Sequence, residues 1–254
     1  MKIYYKKKIS KPDIVFFDLD NTLYNYIRSH KQAIKKIKAS ILRSHNLPKK
    51  KFNFYFKKAK KIIKSQLGNT ASSHNRLIYF QKLFEILNHK KQASSALKFE
   101  KIYWKNFLKN SYLMPGLKKF LINLKKNKIK TGIITDLTSQ IQFKKIAYFK
   151  IEKYFDNIIT SEEVMYDKPN EKIYLLSLKK FRRSFKKFRR KRVIWMIGDD
   201  LKRDINGSKK SIKAITFHKV NNLYKKYHKI KPDFAFKHYW EINKFFNKNI
   251  NHVN

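Results

Sequence analysis

Residues 15–24 read VFFDLDNTLY, and this stretch decides how the rest of the chain is interpreted. Its first residues are apolar and predict a short buried strand near 14–18. Asp18 and Asp20 follow at once, although burying a carboxylate without a partner costs several kcal/mol. We therefore expect the strand to end at these two acids, in a place where other groups can neutralise them.

The residues after this strand divide into two regions that differ in the spacing of their apolar residues. From Tyr24 to about Leu113, apolar residues recur at three- and four-residue steps and predict a helical bundle. The candidate helices lie near 29–44, 51–67, 75–89 and 94–109. Because this bundle separates the first strand from the remaining ones, we interpret it as an insertion.

From Met114 onward, short apolar strands alternate with helices. We expect the strands near 130–135, 157–160, 193–197, 214–217 and 233–236, and helices near 116–127, 139–149, 170–182 and 203–211. This alternation predicts right-handed crossovers and a parallel sheet with helices on both faces. The predicted fold class is therefore α/β, with a Rossmann-like parallel sheet core and an inserted helical bundle. The core comprises residues 1–24 and 112–254, and the insertion residues 25–111.

Composition narrows the function classes. The 254 residues include no Cys, which excludes disulfides, thiol nucleophiles and thiolate metal sites. The basic N-terminus lacks the apolar stretch of a signal peptide, and no apolar run reaches the length of a membrane span. We expect a cytoplasmic protein without a membrane span.

The net charge of +45 suggests a nucleic-acid partner, but the residue types weaken that interpretation. The 62 basic residues comprise 9 Arg and 53 Lys. The planar guanidinium of Arg binds phosphates and bases through two hydrogen bonds and is the better group for recognising them, yet Arg is the rarer of the two. Lys, Ile, Asn, Phe and Tyr are abundant and have A/T-rich codons, so we attribute the charge to compositional bias. The strongest evidence for such a partner is segment 179–192, which contains five Arg. The segment also carries a stripe of aromatic residues, Phe181, Phe185 and Phe188. We favour an amphipathic helix there over a nucleic-acid or membrane patch.

Polar residues collect where the predicted strands end, which is where open parallel sheets bind ligands. They are Asp18, Asp20 and Thr22 after the first strand, Thr135 and Asp136 after the second, Asp167 and Lys168 after the third, and Asp199, Asp200 and Asp204 after the fourth. The chain has only 17 acids, so this concentration of Asp is unexpected from chance. Clustered carboxylates need a divalent cation, and oxygen ligands without Cys or His favour Mg²⁺. A hydroxyl and an ammonium suit a phosphoryl group, and a carboxylate can act as a nucleophile.

Four segments in order resemble the motifs of the haloacid dehalogenase-like phosphohydrolase superfamily. Asp18-Leu-Asp-Asn-Thr22 matches DxDxT, and Thr135 closes the second motif. Lys168-Pro169 matches the third motif, and Gly198-Asp199 with Asp204 matches the fourth, GDx4D. The resemblance implies that the helical insertion is a cap of the family's first class, which closes over the site and selects the substrate.

The resemblance also implies residue roles. Asp18 is the expected nucleophile and Asp20 the general acid and base. The phosphoryl group is assigned to Thr135, Asp136 and Lys168, and Mg²⁺ to Asp18, the backbone carbonyl of Asp20, and Asp199. Supporting positions around these ligands are Thr22, Asp200 and Asp204. The pair Asp199-Asp200 leaves open which of the two holds the metal, and Asp136 stands where family members commonly have Asn.

The predicted function is a Mg²⁺-dependent phosphatase that hydrolyses a small phosphorylated metabolite through an aspartyl-phosphate. Asp20 argues against a dehalogenase, because a halide leaves without protonation whereas an alkoxide needs an acid. The segment FFDLDNTLY is similar to the corresponding segment of 5′-nucleotidase and N-acylneuraminate-9-phosphatase-like members, which favours nucleoside monophosphates or sugar phosphates as substrates. The alternatives are a phosphomutase of the same fold and a nucleic-acid-associated basic protein that retains it.

Overall fold

The structure, a computed structural model, describes residues 1–4, 9–45, 49–182, 192–221 and 229–250. Its described strands form one seven-stranded sheet in the order β1-β7-β6-β5-β2-β3-β4. They are β1 (Lys2–Ile3), β2 (Ile14–Phe17), β3 (Lys130–Thr135), β4 (Asn157–Thr160), β5 (Ile194–Gly198), β6 (Ile215–Lys219) and β7 (Phe234–Phe236). The strands pair in parallel except β1, which runs antiparallel to β7.

The strand that carries the opening motif, β2, lies in the interior of the sheet. Strand β2 pairs with β5 on one side and with β3 on the other, and all four of its residues are buried. A parallel strand with helices on both faces is apolar without alternation, which explains the run Ile-Val-Phe-Phe. The predicted α/β fold with a mostly parallel sheet is confirmed.

The α-helices among the described residues lie close to the predicted spans. They are α1 (Tyr26–His45), α2 (Lys49–Leu67), α3 (Arg76–Ile86), α4 (Gln92–Lys109), α5 (Leu117–Lys126), α6 (Ser139–Tyr148), α7 (Glu171–Arg182), α8 (Gly207–Ile212) and α9 (Tyr239–Ile250). One difference concerns the helix expected at 203–211, where a π-helical turn, Leu201–Asn206, precedes α8. The Asp200 carbonyl accepts from the N–H groups of both Asp204 and Ile205, which widens this turn.

The chain folds into two compact units, Met1–Tyr24 with Leu113–Asn254, and Asn25–Tyr112. The first unit contains the sheet. On one face of the sheet Phe16, Ile134, Met196 and Tyr174 belong to a continuous buried cluster. That packing holds the carboxyl ends of β2, β3 and β5 side by side.

The second unit consists of α1 to α4. Its interior is aromatic, with Phe80, Phe84 and Phe99 all buried. Arg76 is also buried, and its guanidinium lies 5.4 Å from the ring centroids of both Tyr79 and Tyr103. The helical interior predicted for this segment is thus observed, whereas its role as a cap stays a prediction.

The basic segment 179–192 is only partly described. Residues 183–191, including Phe185 and Phe188, lie outside the described residues. Phe181 is buried at the end of α7, and its ring meets Phe16 edge-on at 5.4 Å between centroids. The first member of the predicted stripe therefore packs on the sheet. Throughout the described ranges, each helix is too short or too polar to cross a bilayer.

Gly132 makes a test of this packing possible. It lies opposite Phe16 in the β2–β3 register, and a Cβ there would lie 2.9 Å from ring carbons of Phe16 and 3.0 Å from Phe181. We expect Gly132→Ala to lower the free energy of unfolding by about 1–3 kcal/mol through overpacking. Urea denaturation measures this change. Lys144→Ala on the exposed face of α6 is the control, and an equal effect of both substitutions would contradict the prediction.

Candidate active site

Three neighbouring strand ends build the site. Asp18 follows β2, Thr135 ends β3, and Asp199 follows β5. Since these strands are adjacent and parallel in the order β5-β2-β3, their carboxyl ends meet at one edge of the sheet. Asp18 and Thr135 lie 117 positions apart in the sequence, and Thr135 and Asp199 lie 64 apart, and the sheet brings all three together.

The Asp18 carboxylate is buried and held from both of its oxygens. Thr22 Oγ1 donates a hydrogen bond to Oδ2 at 2.8 Å, and Lys168 Nζ donates to Oδ1 at 2.8 Å. The backbone N–H of Asp18 donates to the Ile197 carbonyl at 2.9 Å, which extends the β2–β5 ladder by one residue. Thr22 is itself fully buried, so the orientation of the carboxylate is set by packing as well as by hydrogen bonds.

Lys168 is the central cation. Its ammonium lies 2.8 Å from Asp18 Oδ1, 2.7 Å from Asp204 Oδ1 and 3.1 Å from the Ile134 carbonyl oxygen. Burial acts to lower the pKa of Lys168, but Asp18 and Asp204 outweigh it and raise the pKa well above the ordinary value. Lys168 is therefore charged and bridges two acids that would otherwise repel each other.

Even with Lys168, the site holds more carboxylate than cation. Carboxylate oxygens of Asp18, Asp199 and Asp204 lie within 4.8 Å of one another. Burial raises the pKa of Asp18 to about 6, with Lys168 opposing this effect and Asp204 adding to it. Burial together with Asp18 and Asp204 raises the pKa of Asp199 to about 8. Three close oxygen donors with a deficit of positive charge fit a hard divalent cation.

The structure places the two adjacent acids Asp199 and Asp200 in different surroundings. Asp199 lies in the three-carboxylate group, and Asp200 does not. Asp200 instead caps the π-helical turn, accepting from the N–H groups of Lys202 and Arg203 at 2.9 and 2.8 Å. Arg203 Nε also donates to Asp200, at 3.1 Å. The carboxylate of Asp200 thus has a local structural task.

Gly198 leaves the space that the Asp204 side chain occupies. A Cβ at Gly198 would overlap the Asp204 side chain, so only glycine fits at the end of β5. Asp204 is buried, and its Oδ2 accepts from the backbone N–H of Asp200 at 3.0 Å. The glycine of the fourth motif is thus required by the close approach of its last acid.

Asp20 occupies a different position from Asp18. Its side chain is 25 % exposed, and Lys145 Nζ lies 2.8 and 3.0 Å from its two carboxylate oxygens. The Tyr24 hydroxyl donates to Oδ1. Burial acts to raise the pKa of Asp20, but Lys145 and Tyr24 outweigh it and lower the pKa below the ordinary value.

The second strand end is arranged around Thr135 and Asp136. Gln142 Nε2 donates to Thr135 Oγ1 and to the Asp136 carbonyl, both at 2.6 Å. The Asp136 carboxylate accepts from the Lys168 N–H at 2.8 Å and from Arg203 Nη1 at 3.2 Å. Burial nevertheless raises the pKa of Asp136, while Lys168 opposes this effect. The observed partners of Asp136 hold the Lys168 loop, and its predicted contact with phosphate stays a prediction.

Sequence reasoning missed Lys145, Gln142 and Arg203. Gln142 and Lys145 lie three residues apart on α6 and are both fully buried. A polar pair at helical spacing on the apolar side of a predicted helix was the available signal. In a chain with 53 Lys, however, a single lysine in a helix does not stand out.

Comparison with known proteins places these motifs in a family. A sequence model described as haloacid dehalogenase-like hydrolase matches residues 12–211. The chain is 32% identical over 198 residues to a ribulose-1,5-bisphosphate 5-phosphatase from Halopiger xanaduensis, covering 76% of this chain and 79% of that protein. It is 29% identical over 198 residues to a glyceraldehyde 3-phosphate phosphatase from Pyrococcus furiosus, covering 77% and 76%.

Solved structures show the same fold. The crystal structure of a 2-haloacid dehalogenase from Pseudomonas syringae superposes with a TM-score of 0.73 and 15% identity, covering 94% of this chain and 99% of that one. At this identity the likeness concerns the fold alone.

The carboxylate group predicts an unusual pH dependence of stability. In the folded protein Asp18 and Asp199 bind protons more tightly than a carboxyl group with the ordinary pKa of 3.8 does. Their stabilising contribution is therefore complete below about pH 4 and is lost as pH rises through about 6 and about 8. In metal-free protein we expect Asp199→Asn to reduce this loss, measured as Tm against pH.

Addition of Mg²⁺ extends this measurement. A cation that binds the ionised carboxylates should raise Tm more at pH 8 than at pH 5, since protons compete with it at the lower pH. The matched variant Asp156→Asn, at the opposite end of β3, should behave as the unmodified chain. A Tm increase with Mg²⁺ that is the same in Asp199→Asn would contradict the cation site.

Proposed function

The chain belongs to the haloacid dehalogenase-like hydrolase family and is a phosphoric monoester hydrolase, and we propose that it hydrolyses phosphorylated sugars through an aspartyl-phosphate on Asp18. One observation carries this proposal. A buried carboxylate, a buried ammonium and two further carboxylates meet at the carboxyl edge of the sheet, where Thr135 ends the neighbouring strand β3.

Asp18 is the proposed nucleophile. Its bonds to Thr22 and Lys168 hold the carboxylate in one orientation, which reduces the entropy lost when it attacks phosphorus. Attack forms an Asp18 O–P bond and breaks the bond between phosphorus and the sugar oxygen. Water then attacks the same phosphorus, which releases phosphate and restores the carboxylate.

Thr135 and Lys168 are the proposed phosphoryl-binding groups. Gln142 donates to Thr135 Oγ1, and the Thr135 hydroxyl donates to the Asp136 carbonyl at 3.3 Å. This bond is long, so the hydroxyl can exchange it for a shorter one to a phosphoryl oxygen. Lys168 brings a positive charge to the negative oxygens of the transferring group. Both groups are held in place before substrate binds, as effective electrostatic stabilisation requires.

Asp20 is the proposed general acid and base. It gives a proton to the leaving oxygen in the first step and takes one from water in the second. Lys145 lowers the pKa of Asp20 in the structure, which favours the base form. A phosphate dianion bound nearby adds negative charge and raises that pKa again, which favours the acid form.

The proposed cofactor is Mg²⁺, held by the carboxylates of Asp18 and Asp199 with Asp204 supporting them. When bound, such an ion neutralises the carboxylates and polarises a phosphoryl oxygen. The backbone carbonyl of Asp20 is the further ligand that the family resemblance implies.

The substrate proposal rests on the relatives. Those described above are named for a bisphosphorylated pentulose and a phosphorylated triose. We therefore favour a short phosphorylated sugar over the nucleoside monophosphates that the opening motif also suggested. In this proposal the helical segment 25–111 serves as the cap that selects the sugar, and the strongly basic chain attracts anionic substrates.

A substrate panel tests this choice. Phosphate release is measured with ribulose-1,5-bisphosphate, glyceraldehyde 3-phosphate and nucleoside 5′-monophosphates, each with Mg²⁺ and with EDTA. We expect kcat/KM for a sugar phosphate to exceed that for the nucleotides by about tenfold or more, a difference that a selective pocket readily supplies. A preference for nucleotides would overturn the substrate proposal, and activity in EDTA would overturn the Mg²⁺ proposal.

Asp18→Asn tests the mechanism itself. Loss of the nucleophile should lower kcat by about 10³-fold or more with every substrate, since the chemical step has no alternative attacking group. Asp156→Asn is the matched control and should retain activity, because this carboxylate binds Lys130 and the Thr131 N–H at the start of β3. Full activity in Asp18→Asn would rule out the aspartyl-phosphate.

A further inference from the structure

Lys145 is a buried lysine whose charge is directed at Asp20. Its side chain has 0% exposure, and its ammonium contacts both oxygens of the Asp20 carboxylate at 2.8 and 3.0 Å. It also lies 5.9 Å from the centroid of the Tyr24 ring. Burying an ammonium is costly, whereas the neighbouring Lys144 on α6 is exposed. The ion pair is therefore a specific feature of this site.

The two partners of this ion pair, Lys145 and Asp20, differ in their exposure to solvent. Asp20 is 25 % exposed at its side chain, whereas Lys145 is fully buried and directs its ammonium at both oxygens of Asp20. Lys145 therefore acts on the reaction through Asp20. This distinguishes it from Lys168, which lies among the carboxylates of the nucleophile site.

The hydrogen bonds on Asp20 are unequally distributed between its oxygens. Oδ1 accepts from the Tyr24 hydroxyl and from Lys145 at 2.8 Å, while Oδ2 accepts from Lys145 at 3.0 Å. Gln142 is a further hydrogen-bond donor to this carboxylate. Together these donors restrict its rotation and leave lone pairs that can carry a proton.

We propose that Lys145 is a positioning residue for proton transfer, which orients the Asp20 carboxylate and balances its charge after it has given up a proton. The inference rests on the proposed function of Asp20. The proton leaves the Asp20 carboxyl group for the sugar oxygen as the P–O bond breaks, which yields an alcohol and a carboxylate. Lys145 keeps its own proton throughout and stabilises that carboxylate.

A leaving-group series separates this role from a structural one. A p-nitrophenolate leaves without protonation, whereas a sugar alkoxide needs an acid. We expect Lys145→Met to lower kcat/KM for a sugar phosphate by about 10–100-fold and for p-nitrophenyl phosphate by much less, because kcat/KM reports the step in which the leaving group departs. A merely structural defect would lower kcat/KM for both substrates by the same factor.

Lys145→Gln is the second variant, since it keeps an N–H donor and a polar end in the buried position. It is measured in the same way if Lys145→Met does not fold, as judged from thermal unfolding. Lys144→Met is the matched control on the exposed face of the same helix and should show the unmodified ratio of the two activities.

Asp20→Asn distinguishes failure of the inference from failure of its premise. If Asp20→Asn lowers kcat/KM for both substrates equally, the proposed role of Asp20 as the acid is wrong, because its role as the base acts only after the aspartyl-phosphate has formed. If Asp20→Asn affects the sugar phosphate selectively and the folded Lys145 variants do not, the role of Lys145 is overturned and that of Asp20 stands. Selective loss in both supports the inference.

Discussion

The repulsion among the carboxylates of Asp18, Asp199 and Asp204 is the constraint around which this site is built. Their oxygens lie within 4.8 Å of one another at the edge of a buried sheet, where charge is poorly screened. Lys168 offsets part of the repulsion by bridging Asp18 and Asp204. The remaining deficit of positive charge fits a site that could hold a divalent cation.

The surrounding elements follow from this constraint. Glycine is required at the end of β5 because Asp204 approaches the backbone there. The π-helical turn after β5 is capped by Asp200, which fixes where Asp204 projects. Asp136 holds the Lys168 backbone and thereby the loop that supplies the bridging ammonium. The glycine at the end of β5 and the π-helical turn after it are thus explained by where the charged side chains must lie.

The overall charge and the charge that matters at the site are different quantities. The chain carries 53 Lys, yet among the described residues the buried lysines are Lys145, Lys168 and Lys219. Two of these three contact the acids of the opening motif. Composition predicts the electrostatics of the surface, whereas the chemistry depends on which lysines are buried, and composition does not reveal that.

The sequence by itself determined the six strands from β2 to β7, the order of the motifs and the acids at their ends, because hydrophobic runs and polar breaks are local properties of the chain. The two-residue strand β1 was not predicted, because it is defined by its pairing with the distant β7. It also determined the fold class, since alternating strands and helices have few solutions. Only the tertiary structure decided that Asp199 rather than Asp200 joins the carboxylate group, and that Lys145 and Gln142 of α6 face Asp20 and Thr135. Those choices depend on which side chains become neighbours across strands and helices distant in sequence, and on which of them are removed from water.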